Sequence, residues 1–128
     1  MNGKIFTVRL SADENAVEIL DQTLLPNRVE YLRLETAEQL YEAVFKLRVR
    51  GAPAIGVCAG FGMYVLARKI SDDILPKLRR AGEYLVSSRP TAVNLSWAVK
   101  RMLARAERGY SSRDELLSAL RSECTAIC

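Results

Sequence analysis

Between Gly51 and Ala67 the chain runs for 17 residues without a charged side chain, and this run constrains the fold more than any other feature. A membrane span needs about 20 such residues, and Pro53, Gly56, Gly60 and Gly62 lie inside the stretch. The run therefore predicts a helix buried at the centre of a water-exposed molecule, starting near Pro53 and continuing to about Ile70. Proline suits the first helical position because its φ is already helical and its missing N–H has no partner there in any case. Ala52, Gly56, Ala59, Gly60 and Ala67 give this helix a small-residue surface, which predicts close packing by its neighbours.

The residues before the run read as β-structure. Lys4–Leu10, Ala16–Leu20 and Val29–Leu34 carry the β-branched and aromatic residues of short strands, with Ser11–Asn15 as a hairpin loop and Pro26-Asn27 as a turn. So small a sheet needs helices over one face. Thr36-Ala37-Glu38-Gln39 is a capping box, after which Leu40, Ala43, Val44 and Leu47 form one apolar face that ends near Val49-Arg50. A third helix is predicted from between Ser71 and Pro76 to Val86. A fourth runs from Ala92 to about Arg108, capped by Thr91 and ended by Gly109. The last opens on a second capping box at Ser112–Glu115. The expected fold is α+β: about three antiparallel strands in residues 1–35, then about five helices in residues 36–128, as a single domain.

The 128 residues include no histidine, which excludes a Ser-His-Asp triad, a Cys-His pair or a histidine metal site built from this chain. Cys58, Cys124 and Cys128 lack metal-ligand spacing and are odd in number, which argues for a reducing, cytoplasmic setting. Cys58 lies in the apolar run with no cation beside it, so it reads as a buried hydrophobe and not a nucleophile. The net charge of +4 is concentrated between Arg68 and Arg108, where the excess is +6. That suits an anionic ligand, and it also describes a solvated helix face. No nucleic-acid motif accompanies the charge, so nucleic-acid binding is not expected.

Two junctions carry candidate chemistry. At Arg50-Gly51-Ala52-Pro53, unpaired amides at a helix start attract anions, glycine and alanine allow close approach, and Arg50 adds a cation that can bind phosphate through two N–H groups. The plainer reading is a helix break with Arg50 in solvent. At Arg89-Pro90-Thr91, proline holds Arg89 out of helical geometry just before another helix start. Asn94, Trp97 and Arg101 share a face, with Trp97 expected to be a packed anchor.

These segments carry a resemblance. Leu20-Asp21-Gln22-Thr23-Leu24-Leu25-Pro26, Val49–Gly56, and Arg89-Pro90-Thr91-Ala92-Val93-Asn94-Leu95 resemble methylthioribose-1-phosphate isomerases in order and spacing. The wider superfamily also includes ribose-1,5-bisphosphate isomerases and regulatory subunits of the eukaryotic initiation-factor exchange complex. The resemblance implies aldose–ketose isomerisation of 5-methylthioribose 1-phosphate in methionine salvage, without a metal or organic cofactor. It implies that Arg50, Gly51, Ala52 and Arg89 bind the phosphorylated pentose. It also implies a second, Rossmann-like domain holding a catalytic cysteine and aspartate, whose motifs this sequence lacks. Cys124 and Cys128 do not have the surrounding pattern of that cysteine. The expectation is an amino-terminal domain with no catalytic residue of its own, inactive alone and served by a companion catalytic domain or a homo-oligomer. The alternatives are a regulatory, protein-binding module or a domain of the ribose-1,5-bisphosphate isomerase type.

Overall fold

In the structure, a computed structural model that describes residues 6–127, three short strands form an antiparallel sheet: β1 (Val8–Leu10), β2 (Val17–Leu20) and β3 (Tyr31–Leu34), in the order β1-β2-β3. Val17 and Ile19 of β2 are fully buried, and Val17 lies opposite Leu10 on one side and Leu34 on the other. Glu18 points the other way. It sits directly across from Arg9 and Arg33, with carboxylate–guanidinium distances of 2.7 and 3.9 Å, so opposite charges line the outer face. Lys4 and Ile5, at the start of the first expected strand, lie outside the described residues. The connection after β2 contains a 3-10 turn, Gln22–Leu24, that was not foreseen.

Five helices follow: α1 (Ala37–Phe45), α2 (Ala52–Arg68), α3 (Ile74–Val86), α4 (Val93–Glu107) and α5 (Arg113–Ile127). The arrangement is α+β, as expected. Thr36 caps α1, its Oγ1 accepting from the Gln39 amide at 3.1 Å while Gln39 returns a bond to the Thr36 amide. The helix stops sooner than the apolar spacing suggested, because Leu47 turns left-handed at φ 61°. The Leu47 amide donates to Val44 O and the Arg48 amide to Ala43 O, which closes the helix in the pattern usually built on glycine. Leu47 is consequently 41% exposed instead of lying on the buried face, and Val49 takes the core position beyond it.

Nearly every residue of α2 from Ile55 to Ala67 is buried, and its small residues are where other helices approach. A side chain at Gly56 would meet Asn94 of α4, one at Gly60 would meet Ile127 and Cys124 of α5, and one at Gly62 would meet Leu40 of α1. Helices α1, α4 and α5 thus approach one central helix. Its hydrophobic surface is covered by protein, and among the described residues no helix is long and apolar enough to cross a membrane.

The starts of the remaining helices refine the expectations. α3 begins at Ile74, leaving Pro76 in the first turn, where its missing N–H costs no helical bond. α4 is capped by Ala92 and not Thr91, with no side-chain bond to its first turn. It ends at Glu107 with Arg108 as its cap, close to the expected end, and Gly109 lies beyond at φ 100°. At α5, Ser112 accepts from the Glu115 amide, but the Glu115 carboxylate reaches one residue further back, to the Ser111 amide. Trp97 is the clearest correction to the core. Leu95, Ala98, Val99, Met102 and Ala106 form the buried stripe of α4, and Trp97 lies off that stripe with half its surface exposed. It borders the Arg101 guanidinium, 5.4 Å from the ring centroid, and Arg101 also pairs with Glu123.

Gly82 of α3 offers a direct check on this packing. A methyl group there would lie 2.8 Å from Val99 Cγ1 and 3.2 Å from Met63 Cε. Both neighbours are fully packed, and a β-branched valine in a helix has almost no alternative rotamer. Gly82→Ala should therefore lower stability by about 1–2 kcal/mol in urea denaturation, overpacking outweighing the better helix propensity of alanine.

Candidate anion site between two helix starts

The first turns of α2 and α4 meet across an open pocket of about 240 Å³. From α2 the lining comprises Gly51, Ala52 and Ile55; from α4 it comprises Ala92, Val93 and Asn94; Arg89 comes from the preceding connection. Gly56 makes this meeting possible, since its absent side chain would lie only 3.5 Å from Asn94 O. Gly51, at φ 90°, occupies a backbone region that disfavours any residue with a Cβ. With Ile55 N bonded to Gly51 O and Ser96 N to Ala92 O, the amides that precede them in each first turn have no helical acceptor. Two helix dipoles therefore direct their positive ends at one pocket.

Arg89 is half-buried and lines the pocket. Its backbone is held on both sides: its amide donates to Val86 O, and its carbonyl accepts from the Ala92 amide at 2.9 Å. Among the described residues no carboxylate pairs with it. Arg50 is also without an ion pair among those residues, but it is exposed and does not line the pocket. Three of the four candidate positions, Gly51, Ala52 and Arg89, are thus brought together; the fourth lies at the edge. The lining includes no carboxylate, thiol or amine. It can hold an anion, but it has no group suited to exchanging a proton near neutral pH, since arginine keeps its own.

Two ionisable groups outside the lining, Cys58 and Asp21, are buried in the fold. Cys58 is fully buried and burial pushes its thiol up to about 12, which removes it as a nucleophile. Asp21 is almost wholly buried. Its Oδ1 accepts from the Thr23 amide at 3.0 Å and from the Thr23 hydroxyl at 2.6 Å, and its Oδ2 receives Arg48 Nη1 at 2.8 Å. Burial pushes this carboxyl up, but the Thr23 bonds and the Arg48 guanidinium outweigh it and leave it below the ordinary aspartate value. Together with Gln22 N donating to Arg48 O at 2.9 Å, this cluster clamps the 3-10 turn onto the segment that leads into Gly51. Nothing in the local sequence pattern marks Arg48 for this role. The only available signal was an arginine close before Gly51 and an aspartate after a strand, and the pairing between them spans 27 residues.

Much of the local positive charge is already matched. Arg79 pairs with Glu107, Lys77 with Asp72 and Arg101 with Glu123. Part of the basic segment is thus a solvated, paired helix surface, and the unpaired charge at the pocket comes from Arg89.

The 5-deoxyribose 1-phosphate isomerase of Petrotoga mobilis is 43% identical over 128 residues, covering 96% of this chain and 37% of that protein. The methylthioribose-1-phosphate isomerase of Parabacteroides distasonis is 44% identical, with coverage of 94% and 40%. Among solved structures, 5-methylthioribose 1-phosphate isomerase from Pyrococcus horikoshii matches 98% of this chain and 36% of its own at 32% identity, with a TM-score of 0.90. The delta subunit of translation initiation factor eIF-2B from A. fulgidus matches 97% of this chain and 36% of its own at 30% identity, with a TM-score of 0.87. The chain therefore spans about two fifths of the length of these relatives. The model of the initiation factor 2 subunit family matches residues 48–128, and the chain belongs to that family.

Proposed function

We propose that this chain is the amino-terminal, substrate-binding domain of a sugar-phosphate isomerase, holding the phosphate of a pentose 1-phosphate between the starts of α2 and α4. The observation that carries the proposal is the single pocket where Gly51, Ala52 and Arg89 converge. Unpaired amides and an unneutralised guanidinium are what a phosphate dianion requires. The relatives' names supply the substrate class, and the preferred substrate is 5-methylthioribose 1-phosphate, isomerised to the ketose in methionine salvage in the cytoplasm. Arg50, at the rim, contributes longer-range attraction.

Moving a proton between adjacent sugar carbons needs an acid/base group, and the pocket's own lining has none. In this reading that group comes from beyond these residues, from further sequence of the same protein, a companion chain or a second copy. No cofactor is needed for the step. The purified 128-residue chain should bind 5-methylthioribose 1-phosphate without converting it. Calorimetric titration beside a ketose-formation assay checks both halves. Turnover above the buffer rate, or no saturable binding of any sugar phosphate, would contradict the proposal.

A second reading takes its support from the likeness to the delta subunit, at a TM-score of 0.87: a regulatory module that uses its helical surface for protein contacts. A stable protein complex formed by a chain that binds no sugar phosphate would favour it.

A further inference from the structure

Beside the anion pocket lies a second concavity of about 340 Å³, lined by Pro90, Thr91, Val93, Ser96, Trp97 and Lys100. Val93 lines both. It is 77% exposed at the first position of α4, and Trp97, one turn later, is half-exposed. Two sizeable apolar side chains are thus left in water at the edge of a charged site, where they contribute nothing to the core.

The names of the relatives give this a chemical meaning. 5-Deoxyribose 1-phosphate and 5-methylthioribose 1-phosphate share the phosphate at C1 and differ at C5, and neither has a hydroxyl there. The C5 end of both is apolar. We propose that the groove over Val93 and Trp97 is the subsite for an apolar C5 substituent of the pentose whose phosphate sits at Gly51, Ala52 and Arg89. The inference rests on the phosphate reading of the neighbouring pocket. An indole face presents a large apolar surface with little conformational freedom to lose, and a thioether sulfur packs favourably against an aromatic ring. A C5 hydroxyl placed against the same face gives up water for an apolar contact. Lys100 at the groove edge is the feature that would suit a second phosphate instead, and that ligand belongs in the test.

Trp97 is the chain's one tryptophan, so its fluorescence reports on this groove alone. The 128-residue chain is titrated with inorganic phosphate, ribose 1-phosphate, 5-deoxyribose 1-phosphate, 5-methylthioribose 1-phosphate and ribose 1,5-bisphosphate. The expected result is that the methylthio sugar binds about tenfold more tightly than ribose 1-phosphate and shifts the indole emission, which inorganic phosphate does not. By calorimetry, the ratio should fall to about one in Trp97→Ala and decrease in Val93→Ser, two exposed positions whose replacement leaves the core intact. Equal affinities for the two sugars, a ratio retained in both variants, or preference for the bisphosphate would overturn the subsite while leaving the phosphate site standing. Failure of every phosphorylated ligand, inorganic phosphate included, would overturn both.

Discussion

Arg89→Ala should weaken binding of pentose 1-phosphates to this chain by about 10- to 100-fold, and Arg50→Ala by no more than about fivefold. The asymmetry follows from placement. Arg89 is half-buried, fixed by backbone bonds on both sides, lines the pocket and faces no carboxylate among the described residues. Its charge-assisted bond to phosphate forms in a partly desolvated setting and replaces no existing ion pair. Arg50 lies in solvent outside the lining, where its contribution is a screened attraction that fades as salt is raised. Titrations of both variants at low and at physiological ionic strength check the point. Equal losses, or a larger loss at Arg50, would mean that the pocket described above is not where the phosphate sits.

Asp21→Ala should have the largest effect on stability, about 2–3 kcal/mol, lowering the melting temperature by about 10 °C. The carboxylate is almost fully buried, and removing it takes the acceptor from the Thr23 amide and leaves Arg48 with only Glu42, at 3.5 Å, and the Thr23 hydroxyl. The same group predicts a pH dependence. Its folded-state pKa lies below the ordinary 3.8, so its contribution is fully present above that value and is lost as the pH falls through the lower folded value. The variant's stability curve should therefore be flatter than the parent's on the acid side below about pH 4. Thermal melts from neutral pH into acid measure both effects. A melting point within about 2 °C of the parent would show that the cluster is not holding the turn onto the α2 entrance.

Much of this architecture was legible in the sequence because local and long-range signals agreed. The uncharged run, its small residues and the Thr36–Gln39 capping box each specify a structure with few competitors, and all three are present. The differences arise where tertiary contacts override a local pattern. Leu47 fitted the apolar spacing of α1, but the chain needed a left-handed turn to bring Arg48 against Asp21, and no glycine marked the place. Thr91 had the chemistry of a cap, yet the bond from Ala92 N to Arg89 O shifts the helix start by one residue. Trp97 was expected to pack because of its size. Its spacing from Leu95 and Val99 places it off the buried stripe, which the spacing alone could have indicated. At the site, the two helix starts were readable from Gly51-Ala52-Pro53 and Arg89-Pro90. Their facing one pocket depends on the contact of Gly56 with Asn94, which no local signal carries. For the same reason the sequence could not separate Arg89 in the lining from Arg50 outside it.

Amide chemical shifts of the isotope-labelled chain, followed during titration with ribose 1-phosphate, test the common phosphate site most directly. Saturable changes are expected to concentrate at Gly51, Ala52, Val93 and Asn94, with the Arg89 side chain moving in step. Saturable changes confined to other parts of the surface, with these amides still, would contradict a phosphate site there.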